Sequence, residues 1–393
     1  MKELKSILTA YQKIDLTKQR AALATVVSVQ GSSYRSPGAR MLITDDGRWV
    51  GSISGGCLEG DALRKARDVM QRKQAITVTY DTREESNQNL GIGLGCNGVI
   101  DVLIEPIDST SVTNVIDMFS KITNVNTPVA LATIFSGPNA VGEKLLLKND
   151  NTVHITFNND TLAKALERDL QLRFETGKSE AKTYHTADGT FGVFVELIQP
   201  SISLIIFGGG FDARPVSQLA KSLGWEVMVT DECVAHIAPL FFPTADKLSL
   251  CHRDFIDRDF NITPYTACVL MSHNYEYDRD VLRKIIKSNT PYIGILGPRK
   301  RFDKMVLEFT HEKITFTAQE KEKIHSPIGL DIGAETPDEI ALSIIAEIQG
   351  KFANRSGGFL KYRQGPIHKR DEKSDQVFKQ IYLNENDSNS KYA

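Results

Sequence analysis

One segment constrains the fold of this chain more than any other: an apolar strand that runs directly into three glycines. It is IIFGGG at 205–210, followed by a helical pattern, a second apolar run and an acid, Asp231. The glycines permit a tight turn and let backbone N–H groups approach a phosphate, while an acid that ends the next strand can bind a ribose. This order predicts a Rossmann-like unit, a doubly wound parallel sheet. Later strands at 267–271 and 292–296 and helices at 278–288 and 337–349 complete it.

The predicted strand ends of this unit carry candidate ligand contacts, because open α/β sheets bind ligands there. The candidates are Gly208, Gly210, Asp231, His273 and Arg299. A nucleotide, NAD(P) or another, is the predicted ligand, and an NAD(P)-dependent oxidoreductase with His273 as proton donor is one functional hypothesis. Asp212 argues for a modified ligand or none, because it puts a negative charge near the pyrophosphate position. The alternative interpretation is that the glycines only form the turn.

Length and charge exclude several classes of protein. A chain of 393 residues predicts two or three domains. With 47 basic and 49 acidic residues the net charge is −2, and no block of like charge indicates a nucleic-acid or membrane surface. The chain shows no secretion signal and no run of eighteen apolar residues, so we expect a cytoplasmic protein. The cysteines are widely spaced and form no CxxC pair, which predicts free thiols. They are Cys57, Cys96, Cys233, Cys251 and Cys268.

The N-terminal half contains a weak internal repeat. The matching segments are AALATVVSVQ (21–30) with VALATIFSG (129–137), GARMLITDDG (38–47) with GEKLLLKNDN (142–151), and VLIEP (102–106) with VFVELIQP (193–200). We therefore predict an α/β domain at 1–198 with two related halves, about 1–108 and 109–198. A Rossmann-like domain at 199–350 and a loose polar tail at 351–393 would follow.

Two glycine-rich loops in the first half each carry a cysteine, GSISGGCLEG at 51–60 and GIGLGCNG at 91–98. Bare backbone can approach an anion or a polar ring, and a thiol near the positive end of a helix favours its thiolate form. Two thiolates indicate a soft metal or a sulfur-bearing ligand, with Cys57 and Cys96 as metal ligands. The alternative is two small buried residues in tight turns. The candidate residues are Ser54, Gly55, Gly56, Cys57, Gly95 and Cys96.

Charged residues near these loops extend the candidate site. Glu59 could accept a ring N–H group or carry a proton, although an acid in the first turn is also ordinary helix chemistry. A third loop, GSSYRSPGAR at 31–40, offers Arg35 and Arg40, which suit a phosphate ester. The second copy of the repeat has NNDT at 158–161 in place of the first cysteine loop and nothing that matches Cys96. The presence of both cysteine loops in the first copy is therefore better explained by a functional role than by a requirement of folding.

These motifs together resemble the XdhC/CoxI family, the xanthine dehydrogenase accessory factors. The resemblance covers nearly the whole chain apart from the tail. The segments that carry it are GSSYRSPGARMLITDDGRWVGSISGGCLEG (31–60), GLGC (93–96), GGGFDARP (208–215), SHNYEYD (272–278), YIGILGPRKR (292–301) and SPIGLDIGAETPDEIALSIIAEI (326–348). It implies a chaperone more than an enzyme: a protein that binds molybdenum cofactor (molybdopterin), assists its sulfuration and hands it to a xanthine dehydrogenase-type molybdoenzyme.

The resemblance also implies roles for the candidate residues. Arg35 and Arg40 would bind the phosphate of the cofactor, and Glu59 with the bare backbone would bind its pterin. Cys57 or Cys96 would ligate molybdenum or carry persulfide sulfur, and the choice between them stays open. A cysteine desulfurase is a second candidate partner and a homodimer an open alternative, whereas no nucleic-acid or membrane partner is expected. A redox or metal sensor that uses the two cysteines is the remaining hypothesis.

Overall fold

The computed structural model describes residues 1–83, 98–108, 114–123 and 125–364. They form two compact units, the first over residues 3–200 and the second over residues 201–363. The second unit therefore includes residues 351–363, which the sequence assigned to the tail.

Two five-stranded sheets of the same topology build the first unit, with strand orders β3-β2-β1-β5-β4 and β8-β7-β6-β10-β9. The strands of the first sheet are β1 (Ala21–Gly31), β2 (Arg40–Thr44), β3 (Trp49–Gly51), β4 (Ile76–Asp81) and β5 (Gly98–Ile107). Those of the second are β6 (Val129–Ser136), β7 (Lys144–Lys148), β8 (Val153–Ile155), β9 (Glu180–Thr186) and β10 (Gly189–Ile198). The matching order confirms the predicted duplication.

One helix follows the third strand of each sheet. The helices of the first unit are α1 (Lys2–Tyr11), α2 (Glu59–Arg72), α3 (Val115–Thr123) and α4 (Asp160–Thr176). Helix α2 packs on one face of the first sheet and α4 on one face of the second. The two remaining faces share a core with α1 and α3.

Strand β1 is apolar along most of its length because both of its faces are covered. Side chains of a strand alternate between the two faces of its sheet. Ala22 and Ala24 pack with α2, whereas Ala21 and Leu23 point into the core that the two sheets share. A continuous apolar run is therefore the pattern that this position requires.

Two buried ion pairs cross between the halves at matching positions. Arg40, the first residue of β2, bonds Glu196 of β10, and Lys144, the first residue of β7, bonds Glu105 of β5. All four side chains are between 4% and 7% exposed. Each cation also donates to the carbonyl oxygen two residues before it, at 2.8 and 2.7 Å. The halves thus exchange equivalent interactions.

The second unit is the predicted doubly wound parallel sheet, with strand order β13-β12-β11-β14-β15-β16 and all neighbours parallel. Its strands are β11 (Ser203–Phe207), β12 (Glu226–Asp231), β13 (Lys247–Leu250), β14 (Thr266–Leu270), β15 (Tyr292–Ile295) and β16 (Ile324–His325). Its helices are α5 (Ala213–Ser222), α6 (Ile256–Asp259), α7 (Tyr275–Ile285), α8 (Arg299–His311), α9 (Ala318–Glu322) and α10 (Pro337–Phe352).

Helices cover both faces of this parallel sheet. Leu204 and Ile206 of β11 pack with α5 and α10, whereas Ile205 and Phe207 pack with α7 and α8 on the opposite face. Within the ranges that the structure describes, no helix is both long enough and apolar enough to cross a membrane.

Candidate functional site

Three connections of the first half leave the same end of the first sheet. Strand β1 ends opposite the start of β5, and β3 ends opposite the start of β2. Because neighbouring strands are antiparallel, the connections 32–39, 52–58 and 82–97 all begin and end there. Residues 84–97 lie outside the described ranges, so Gly95 and Cys96 keep their status as predictions from the sequence.

The carboxylate of Glu59 organises the connection 52–58, which we call the Cys57 connection. It accepts hydrogen bonds from the hydroxyls of Ser52, at 2.7 Å, and Ser54. It also accepts from the four backbone N–H groups of residues 53–56, at 2.9 to 3.2 Å. Ser54 in turn accepts at 2.8 Å from the N–H group of Leu58, the residue just before α2. Glu59 is only 6% exposed.

This network keeps Glu59 ionised. Burial raises the pKa of Glu59, but the hydrogen bonds from Ser54 and Ser52 outweigh burial and lower the pKa to about 2. The negative charge lies at the positive start of α2. The sequence predicted that Glu59 contacts a pterin or carries a proton, whereas the structure places it inside the connection with the loop's own donors as partners.

Cys57 and the two glycines before it form the outward part of the connection. Gly55 and Gly56 adopt φ values of +87° and +124°, which other residues rarely adopt. A Cβ at Gly56 would meet nothing within 4 Å, and a Cβ at Gly55 would meet only Cβ of Tyr34, at 3.9 Å. The thiol of Cys57 is free and half-buried, and Tyr34 is 62% exposed. A thiol, bare backbone and an aromatic ring are therefore offered at this end of the sheet.

The second half shows that the scaffold folds without these connections. Only four residues, 156–159, join β8 to α4, against the seven residues 52–58 between β3 and α2. Asn159 caps α4 by accepting from the N–H group of Leu162 at 2.9 Å. Likewise two residues, 187–188, join β9 to β10, where the first half has the sixteen residues 82–97. The additional length is therefore not needed to form the sheet or the helix.

Each of the two arginines predicted to bind a phosphate is paired with a carboxylate of this chain. Arg35 bonds Glu3 of α1, and its side chain is 37% exposed. Arg40 bonds Glu196, and its side chain is 5% exposed. Arg40 thus differs from its predicted role, because its charge balances a buried acid inside the first unit. Of the two arginines, only Arg35 is accessible to an external anion.

In the second unit the glycine turn after β11 is packed against other backbone. A Cβ at Gly208 would lie 2.4 Å from Cα of Ser272, and a Cβ at Gly209 would lie 2.6 Å from the carbonyl oxygen of His236. Strands β11 and β14 are the neighbours from which the sheet winds in opposite directions, the position where such sheets bind ligands. The glycines are needed here for close approach within the protein itself.

The predicted ribose ligand, Asp231, has internal partners. Its carboxylate is 5% exposed and accepts from the N–H groups of Gly209 at 2.9 Å and Cys233 at 2.8 Å. It also lies 3.0 Å from Nδ1 of His236. Asp212 adds a second carboxylate at the start of α5. The N–H group of Gly209 and the acid predicted to bind a ribose are thus bound to each other.

His273 lies beside the glycine turn in an uncommon conformation. Its φ is +60°, its side chain is 58% exposed, and its Nε2 lies 3.2 Å from a carboxylate oxygen of Asp212. A Cβ at Gly210 would be 3.5 Å from the imidazole of His273, so the structure brings these two candidates together. Arg299 is exposed at the start of α8, after the neighbouring strand β15.

The loop that carries His273 is held from within. Asp278 is 1% exposed and accepts from the hydroxyl of Ser272 at 2.6 Å and from Arg301 at 2.7 Å. Burial raises the pKa of Asp278, and these hydrogen bonds oppose the rise. Asn274 accepts from the N–H groups of residues 276 and 277 and caps α7. The exposed imidazole therefore rests on a fixed support.

Sequence reasoning missed the carboxylates that hold the first unit together, namely Glu3, Glu105 and Glu196. The sequence contained a signal for Glu105 and Glu196, because both copies of the repeat end on a strand with a carboxylate. The second strand of each copy, β2 or β7, also begins with a cation.

Among the residues that the structure describes, no three His, Cys, Asp or Glu side chains cluster as a metal site would require.

Comparison with known protein families identifies both units. Residues 204–348 match the XdhC Rossmann domain, and residues 16–81 match the XdhC and CoxI family. The chain is also 32% identical over 335 residues to a Bacillus subtilis protein described as a probable subunit of xanthine dehydrogenase, covering 84% of this chain and 93% of that protein. The chain belongs to the XdhC and CoxI family.

Two further similarities extend over most of the chain. The molybdenum cofactor insertion chaperone PaoD of Escherichia coli is 24% identical over 328 residues, which is 84% of this chain and 82% of PaoD. A crystal structure of a xanthine dehydrogenase from Bacillus halodurans has a TM-score of 0.72 at 29% identity, covering 91% of this chain and 97% of that one. The resemblance inferred from the sequence motifs is confirmed.

Proposed function

We propose that this chain is an accessory factor that binds molybdenum cofactor, supports its sulfuration and delivers it to a xanthine dehydrogenase-type molybdoenzyme in the cytoplasm. The observation that carries the proposal is the Cys57 connection, which presents a free thiol on bare backbone although the duplicated scaffold folds without it. Two relatives, a molybdenum cofactor insertion chaperone and a probable component of xanthine dehydrogenase, support it. A cysteine desulfurase as sulfur donor and a homodimer stay predictions from the sequence.

The groups offered at this end of the sheet match the chemistry of such a cargo. Molybdenum bound by sulfur is a soft centre, for which the thiolate of Cys57 is a suitable ligand, and the same thiol is a suitable carrier of sulfur. A planar pterin can stack on the exposed ring of Tyr34 and lie against the bare backbone of Gly55 and Gly56. Arg35, which is partly exposed, is our candidate for the phosphate.

Co-purification tests the proposal. Wild type, Cys57→Ala and Cys233→Ala are produced in cells with active cofactor synthesis, and molybdenum and the oxidised fluorescent pterin are measured per chain. We expect both in wild type and in Cys233→Ala, whose changed thiol is an exposed one in the second unit, and depletion in Cys57→Ala. Neither molybdenum nor pterin in wild type would show the proposal to be wrong. Equal amounts in all three proteins would move the site away from Cys57.

A further inference from the structure

We infer that Glu59 fills the backbone anion site of the Cys57 connection, so that this connection receives the metal and sulfur end of a ligand and not its phosphate. The identity of the ligand rests on the proposed function. The electrostatic part concerns the free protein and can be measured without any cofactor.

Six donors of the connection that could bind an external anion are already used. Glycine-rich connections at helix starts commonly bind phosphates through consecutive N–H groups. Here the N–H groups of four consecutive residues, 53–56, donate to Glu59 at 2.9 to 3.2 Å, and the hydroxyls of Ser52 and Ser54 donate to the same carboxylate. A phosphate that approached these residues would find their hydrogen-bond donors occupied.

The carboxylate also sets the charge that a ligand meets. The hydrogen-bond partners described for Glu59 are uncharged hydroxyl and N–H groups, which stabilise its charge without a neutralising cation. One of its oxygens lies 2.9 Å from the backbone nitrogen of Gly56, the residue before Cys57. A phosphate at this position would be repelled, whereas a metal cation would be attracted.

The second half shows that the internal anion is not needed to start a helix. Asp160, the first residue of α4, occupies the position that Glu59 occupies in α2, yet it is exposed. The side chain of Asn159 provides the cap instead. A buried acid with two hydroxyl and four N–H partners therefore serves the Cys57 connection itself. It holds the connection in the form in which the thiol of Cys57 is free and half-buried and the backbone of Gly56 is open.

Alkylation of Cys57 by two reagents of different charge tests the inference. Iodoacetamide is neutral and iodoacetate is an anion with the same reactive carbon, so the ratio of their rates reports the local charge and cancels the accessibility of the thiol. Rates are measured by mass spectrometry of the peptides that contain Cys57 and Cys233. In Glu59→Gln we expect the ratio at Cys57 to shift in favour of iodoacetate by about five- to tenfold. It should stay constant at Cys233 and in the matched control Asp160→Asn.

An unchanged ratio at Cys57 in folded Glu59→Gln would overturn the inference. If that variant does not fold, Arg35→Ala with Glu59 intact decides the question, because it lacks the candidate phosphate ligand. Millimolar inorganic phosphate should leave the rate of Cys57 with iodoacetamide unchanged in Arg35→Ala, and saturable protection by phosphate in that variant would contradict the inference. Neither readout depends on bound cofactor, so a failure of co-purification would count against the proposed function alone.

Discussion

Removal of Glu196 should destabilise the first unit strongly, because it leaves the buried guanidinium of Arg40 without its ion-pair partner. The side chains of Arg40 and Glu196 are 5% and 6% exposed, so water cannot solvate the orphaned guanidinium. Breaking a buried pair in this way costs about 3–5 kcal/mol. In a unit of this size one kcal/mol corresponds to about 2–4 °C. We therefore expect Glu196→Gln to lower the unfolding midpoint of the first unit by roughly 6–20 °C.

The matching pair, Lys144 with Glu105, provides an internal comparison. Glu105→Gln should cost a similar amount at neutral pH, since these side chains are 4% and 7% exposed. A buried amine without its partner binds its proton less tightly than in the unfolded chain. The unfolded state then holds more protons, and stability rises with pH. Arginine stays charged, so Glu105→Gln should recover stability between neutral pH and about pH 10, whereas Glu196→Gln should not.

Urea unfolding followed by hydrogen exchange of peptides from β1 and β10 measures the first unit separately from the second. The double variant Arg40→Met with Glu196→Leu removes both charges and should be much more stable than Glu196→Gln, because apolar replacement of a buried pair is often neutral. The reasoning is refuted if Glu196→Gln costs less than about 1 kcal/mol. It is also refuted if the double variant is as unstable as the sum of its single changes.

Five further outcomes are expected. Folding lowers the pKa of Glu59 from 4.5 to about 2, so the ionised carboxylate contributes about 3 kcal/mol of stability. This contribution is present above pH 4.5 and is lost as pH falls toward 2. Urea unfolding of Glu59→Gln should therefore show a weaker dependence on pH in this range. Gly209→Ala should lower the thermal midpoint of the second unit, because its Cβ would lie 2.6 Å from a backbone oxygen. Gly60→Ala, within α2 and with nothing within 4 Å, should instead gain about 0.5–1 kcal/mol in the first unit. Asn274→Ala should cost the second unit about 1 kcal/mol through loss of the cap on α7. In a fluorescence titration of the wild-type protein NADH should not bind, and saturable binding would favour the oxidoreductase hypothesis.

Much of the fold follows from local patterns. Apolar runs, the glycine turn at 208–210 and the acid at 231 were sufficient for the doubly wound sheet, because each is a short-range consequence of strand periodicity and turn geometry. The repeated motifs were sufficient for the duplication. Boundaries were less accurate: α7, predicted at 278–288, covers Tyr275–Ile285, since Asn274 caps it earlier than the apolar pattern alone indicates.

The candidate site was predictable as a set of residues but not as a set of contacts. The cysteine loops stood out in the sequence because glycines, a thiol and an acid occur together. The sequence could not show that Glu59 turns back to bind the N–H groups of residues 53–56, because a side chain near in sequence can point to solvent or inward.

The amino-acid sequence by itself determined the family, the secondary-structure classes and the presence of Cys57 on a glycine loop, since these depend on neighbours along the chain. Only the tertiary structure decided which charges are free. Arg40 and Glu196 are 156 residues apart in the chain, yet they meet in the core because the two halves pack against each other. A guanidinium that looked available for a phosphate is thereby committed to a buried acid. Whether a charged group binds a ligand or its own protein depends on three-dimensional burial, which the order of residues does not display.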